Sequence, residues 1–153
     1  MDSYPRGYAN PVNLRASAAL PAAGAWDTTP TESSSANVEN LTLTFTYTRG
    51  AQAGAFDWQL WTSPYAVAAN VPTGAEEWAA ESIYSAGVLA AGSDVQSEAQ
   101  REYQTYEATG AVAESFTYGP IALEGTVERV RVRARESGAV ADPGTLQIVA
   151  EMI

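Results

Sequence analysis

The chain is predicted to be all-β, an antiparallel β-sandwich of jelly-roll type with an extended N-terminal arm, and two observations carry that expectation. Apolar and polar residues alternate with period two through the readable stretches, the mark of strands with one buried and one wet face. Turn-forming Gly, Pro, Asn and Asp separate eight short runs of this kind, which is the rhythm of a sandwich. A length of 153 residues supplies one core, divided here into an arm over residues 1–13 and a sandwich over 14–153.

Taken in order, Met1–Asn13 is aromatic, carries Pro5 and Pro11, and has no periodicity. Tyr4, Arg6 and Tyr8 combine rigid rings with a forked donor, the chemistry of interface anchors, and Pro5 stiffens the free arm and lowers the entropy lost on docking. A first, weaker strand is read at Leu14–Leu20. Asp27–Asn37 is read as a polar surface loop. The clearest strand is Asn40–Thr48, with Leu41, Leu43, Phe45 and Tyr47 on one face and four threonines on the other. Arg49–Gly54 reads as a hairpin connection to Ala55–Thr62, where Phe56, Trp58 and Leu60 face inward and Asp57, Gln59 and Trp61 outward.

Beyond Ser63 the pattern is irregular as far as Trp78, with a helical turn read at Ala75–Ala80. Weaker strands are read at Glu81–Ser85, Glu102–Glu107 and Glu114–Tyr118. The stretch Gln96–Tyr106 fits helix or strand, and its second half is taken as strand because Tyr103, Thr105 and Glu107 alternate with Gln104 and Tyr106. Thr126–Arg135 sets Val127, Arg129, Arg131, Arg133 and Arg135 against Glu128, Val130, Val132 and Ala134. After turn chemistry between Glu136 and Gly144, Thr145–Ile153 places Leu146, Ile148, Ala150 and Met152 on one face. These last two runs are read as a hairpin.

Composition narrows the function. There are 18 acidic residues against 8 basic ones, all of them Arg, for a net charge of −10, and His, Lys and Cys are absent. A Ser-His-Asp triad, a cysteine nucleophile, a Schiff-base lysine, a zinc finger and a disulfide framework are therefore excluded. An acidic surface repels phosphate, so nucleic acid is not an expected partner, even though the four-Arg strand could be read as a basic stripe. No run is long and apolar enough to span a membrane, and no secretory leader is read at the start. Ala numbers 29, whereas Leu, Ile, Val and Phe together number 27, so four Trp and eight Tyr must supply much of the core.

Carboxylates are the plentiful acids and bases. Glu76, Glu77 and Glu81 lie close in sequence and could hold a cation or form a hydrolytic pair, but their spacing matches no calcium loop and a solvated acidic loop accounts for them. Asp94 and Asp142 sit beside glycine or proline as turn formers. No cofactor and no metal site is expected. The four arginines on one strand face would repel one another unless acids answer them, across strands or from a neighbouring subunit. Trp58 belongs to the inward face. Trp26, Trp61 and Trp78 are loop or out-of-phase residues that could fold back over the sandwich, anchor a protein interface, or stack on a sugar ring.

The runs LRASAALPAAGAWDTTPTE, LTLTFTYTRGAQAGAFDWQLWTS and YGPIALEGTVERVRVRARESGAVADPGTLQIVAEM resemble the small β-sandwich capsid decoration, or cement, proteins of tailed bacteriophages. The likeness extends from about Leu14 to Met152 and lies in a Tyr-Thr-Arg-Gly connection, an Arg-Val-Arg-Val strand and a Pro-Gly-Thr-Leu opening to the last strand. It implies a non-enzymatic virion structural protein, made in the host cytoplasm and seated on the capsid exterior. There it would bind the major capsid protein, often as a trimer, with terminal arms reaching across seams between capsomers. Tyr4, Pro5, Arg6, Tyr8, Trp26, Trp61 and Trp78 are the partner-binding candidates. The alternative is a carbohydrate-binding or tail- or fibre-associated sandwich.

Overall fold

A computed structural model describes residues 11–21, 25–51, 54–81, 103–108, 113–123, 125–138 and 142–153. Among the described residues, nine strands form two antiparallel sheets packed face to face: β1 (Val12–Ala19), β2 (Glu32–Ser34), β3 (Asn40–Thr48), β4 (Ala55–Ser63), β5 (Ala79–Ala80), β6 (Gln104–Glu107), β7 (Glu114–Ala122), β8 (Arg129–Glu136) and β9 (Thr145–Met152). The four-stranded sheet runs β1-β9-β3-β7. The five-stranded sheet runs β2-β8-β4, with β5 and β6 sharing the far edge of β4. Setting aside two-residue β5, the pairs β1·β9, β2·β8, β3·β7 and β4·β6 nest one inside the next, and the four-stranded and five-stranded sheets take alternate pairs.

The period-two reading of β3 holds throughout: Leu41, Leu43, Phe45 and Tyr47 are fully buried, while Thr42, Thr44 and Thr46 stay partly exposed. Their partners across the sandwich are Phe56, Trp58 and Leu60 of β4, also fully buried. Aromatic rings do much of the filling that a chain poor in large aliphatics requires. Phe45 lies 4.8 Å from Trp58, Tyr47 lies 4.8 Å from Phe56, and Phe116 stacks on Phe45 at 4.7 Å and on Tyr106 at 4.2 Å. Stacked and tilted pairs at these separations add stabilisation beyond the area they bury.

Several sequence expectations are corrected. Neither predicted hairpin exists. β3 lies in one sheet and β4 in the other, and β8 and β9 are divided in the same way. The chain therefore crosses from one sheet to the other between β3 and β4 and again between β8 and β9, in two arches. An arch spans the roughly 10 Å between packed sheets where a hairpin spans about 4.8 Å, yet both need the same turn residues and the same buried phase. The loop read at Asp27–Asn37 contains β2, paired with Arg129–Arg131. No helix forms at Ala75–Ala80; β5 occupies its end, and the one helical turn described is a 3-10 turn at Ala68–Asn70. The strand expected from Thr126 starts at Arg129, and Val127 packs against the core rather than joining the arginine face. Val12 and Asn13, assigned to the arm, open β1. Ser82–Ser85, Asp94 and Glu102 lie outside the described residues.

Glu136, treated as the start of a turn, is the last residue of β8 and faces inward at 0% exposure. The Tyr47 hydroxyl donates to its Oε1 and Oε2 at 3.1 and 3.0 Å, and the Gly144 N–H donates to Oε1 at 2.6 Å. Burial pushes the Glu136 carboxyl above its usual range, with the Gly144 N–H and the Tyr47 hydroxyl opposing that shift. Burial also raises Tyr47, and the charge of Glu136 adds to the effect. This carboxylate clamps β3, the end of β8 and the start of β9 where the two arches meet. Asp142 accepts from the Ala51 N–H at 2.9 Å across the same junction.

Candidate functional site: a guanidinium–indole ladder

Consecutive outward residues of a strand are about 6.6–6.8 Å apart. Two planar groups stack at about half that distance, so one aromatic ring fits between successive outward guanidiniums. On β8 the outward residues are Arg129, Arg131, Arg133 and Arg135, and each of three indoles lies within cation–π reach of two successive arginines. Trp78 lies 4.8 Å from Arg129 and 4.3 Å from Arg131; Trp61 lies 5.2 Å from Arg131 and 5.5 Å from Arg133; Trp26 lies 5.7 Å from Arg133 and 4.1 Å from Arg135. Tyr103 finishes the series, 5.3 Å from Arg135 and edge-on to Trp26 at 6.1 Å.

Each ring reaches the ladder from a different element. Trp61 is the β4 residue opposite Arg131, and its indole N–H donates to Gln59 Oε1 at 2.8 Å. Trp78 precedes β5, which is held by pairing of Ala79 and Ala80 with Thr62 and Trp61. Trp26 lies in the β1–β2 connection and is placed by its neighbour Asp27. The Asp27 backbone N–H donates to the Ala134 carbonyl at 3.0 Å, and its carboxylate accepts from the Ala134 N–H at 3.1 Å and from both Nε and Nη2 of Arg15 at 3.0 and 3.2 Å. Sequence-distant loops are thus fastened over the outer face of β4 and β8. That is why Asp57 and Gln59, expected to be wet, are only 4% and 7% exposed.

Carboxylates answer the two end rungs. Arg129 donates to Glu32 and to Glu77, each at 2.7 Å, and to the Tyr65 carbonyl at 2.6 Å. Burial works against the charge of Arg129, but those two acids outweigh it and raise its pKa. Arg135 donates to Asp57 at 2.9 Å, and Asp57 accepts from the Thr105 hydroxyl at 2.7 Å. The middle rungs differ. Arg133 donates to the Asp27 carbonyl at 3.3 Å, and Arg131 has a buried Nε with no hydrogen-bond partner. Among the described residues neither Arg131 nor Arg133 contacts a carboxylate. Burial, followed by the charge of Arg133, lowers the pKa of Arg131, with the more distant charges of Glu32 and Glu77 opposing.

Of the partner-binding candidates, Trp26, Trp61 and Trp78 converge on this one face, whereas Tyr4, Pro5, Arg6 and Tyr8 lie outside the described residues. The three tryptophans are partly exposed, and each indole lies against two arginines of its own chain, which leaves little open ring face for a sugar. The acidic trio separates: Glu77 pairs with Arg129, Glu81 accepts from the Thr62 hydroxyl at 2.8 Å, and Glu76 is exposed. Among the described residues no group of three or more acidic side chains is placed to hold a metal ion. Sequence reasoning missed Asp27, Asp57 and Tyr103 as parts of the ladder. One signal was available: four outward arginines on one strand need a counterpart, and three tryptophans had no core position.

The chain matches no family profile, no curated protein and no solved structure.

Proposed function

We propose that this chain is a non-enzymatic virion structural protein, a decoration protein that bridges major capsid protein subunits on the outside of a tailed-phage head. In this reading it acts as a homotrimer, needs no cofactor, and binds neither nucleic acid nor membrane. The observation that carries the reading is the nesting of β1·β9, β2·β8, β3·β7 and β4·β6. A long antiparallel ribbon wound on itself produces that order, and it supports a jelly roll, an architecture used by viral capsid proteins and by lectins. Between those two uses, the ladder favours protein contact over sugar contact, because each indole already lies against guanidiniums of its own strand face.

The physical logic is linkage. A protein that binds only the closed shell stabilises that state by its binding free energy, and repetition over many equivalent sites makes weak contacts sufficient. A net charge of −10 keeps decorated particles soluble and mutually repelling. The arm, immediately before edge strand β1, is the segment assigned to reach across a seam.

The test is addition of the purified chain to expanded tailed-phage heads, followed by calorimetry. Binding and a higher shell melting temperature are expected, with both effects weakened by deletion of residues 1–11, which stops short of β1. Quenching of tryptophan fluorescence by glycans, with no affinity for shells, would establish the carbohydrate module instead.

A further inference from the structure

We propose that the middle of the ladder, Arg131 and Arg133, is a docking site for acidic side chains of a second copy of this chain, in a head-to-tail contact. The proposal rests on the self-association part of the reading above and not on the virion. Its first ground is the uneven neutralisation of the four rungs. Arg129 and Arg135 are paired with Glu32, Glu77 and Asp57, while among the described residues the two rungs between them form no ion pair, Arg131 feeling Glu32 and Glu77 only at longer range. They repel each other at about one strand repeat, and an incoming anion relieves both at once.

The second ground is the state of Arg131. Its guanidinium lies within reach of Trp61 and Trp78, and its Nε is buried without a partner. A cation already stripped of part of its water and placed beside two rings loses little further freedom on pairing. The rings also exclude water from the contact, which strengthens a charged hydrogen bond.

The third ground is charge complementarity within the same sequence. The whole chain carries −10, so acids are abundant away from the ladder. Glu39, Glu107 and Glu151 are exposed. Glu151 is a β9 residue of the opposite sheet, and Glu39 bonds to the end of that strand through its backbone N–H. Ladder against ladder would bring like charges together, so a two-fold, self-complementary contact on this face is disfavoured. Ladder against the acidic surface of a neighbour is heterologous, and repetition of that contact closes a ring or extends a filament.

Sedimentation velocity and light scattering of the full chain test this. The wild-type protein should associate at low salt, and about 1 M NaCl should dissociate it. Arg131→Gln with Arg133→Gln should weaken association by about tenfold or more while keeping the wild-type circular dichroism. Arg131→Lys with Arg133→Lys, which keeps charge but not the planar fork, should fall between. Should the glutamine variant fail to fold, the salt titration of the wild-type protein decides by itself. A wild-type monomer at every concentration, or an oligomer indifferent to salt and to the glutamine variant, overturns the proposal. Loss of association with retained shell binding would leave the ladder contact standing, and a ladder-dependent oligomer with no shell affinity would sink the virion reading alone.

Discussion

Replacing Glu136 separates two opposing effects that the structure puts on one side chain. Glu136→Ala leaves the Tyr47 hydroxyl and the Gly144 N–H buried without an acceptor, at about 1–3 kcal/mol each. Against that loss stands release of a buried carboxylate whose burial penalty is partly met by those same donors. The net expectation is destabilisation of about 2–4 kcal/mol. Glu136→Gln keeps an acceptor oxygen in place and removes the charge, so it should be neutral or stabilising at pH 7. The pH dependence follows from the direction of the shift. The folded carboxyl holds its proton more tightly than an unfolded one at the usual 4.5. The contribution of Glu136 to stability therefore falls as pH rises from about 4.5 through the folded value, and is flat above it. Urea denaturation of wild type and both variants between pH 4 and pH 8, followed by tryptophan fluorescence, measures this. The glutamine variant should gain on wild type as pH rises. If glutamine costs as much as alanine, or wild type gains on the glutamine variant with rising pH, the clamp has been misread.

Two further outcomes are expected. Trp78→Ala removes the ring lying against Arg129 and Arg131, worth about 0.5–2 kcal/mol for each contact, and uncovers part of β4. Urea denaturation should show a loss of about 2–4 kcal/mol, and a loss under about 0.5 kcal/mol would mean that the ladder does not hold the loops down. Gly144→Ala should be among the most damaging small substitutions, because a Cβ there would lie 2.5 Å from Tyr47 Cε1 and 2.6 Å from the Thr48 carbonyl oxygen. Overpacking of this kind costs about 1–3 kcal/mol or more, readable as a lower thermal midpoint; an unchanged midpoint would show that the arch moves freely.

The strands most legible in the sequence were those whose burial is decided locally. In β3, every second side chain is large and apolar and its neighbours are threonines, so one face could only be inside. The same holds for β9, and for Phe56, Trp58 and Leu60 of β4. What could not be read was pairing. A connection such as Arg49–Gly54 carries the same glycines whether its strands pair beside each other or face each other across the core, and only the distant partners decide. β2 escaped because Glu-Ser-Ser has no apolar phase; its pairing with β8 and the ion pair from Glu32 to Arg129 hold it. Glu136 escaped because an acid between Arg135 and Ser137 looks like a turn residue, and its donors, Tyr47 and Gly144 among them, come from other elements. The ladder was half visible. Its arginine spacing stood out, but which tryptophans would answer it depended on two loops folding over the sheet.

Immunogold labelling of intact particles bears most directly on the proposed role, using an antibody to the purified chain and particles pelleted from cultures that express it natively. The account predicts gold on the outer surface of phage heads at regular density. Finding the chain wholly in the supernatant, with bare heads, would contradict it.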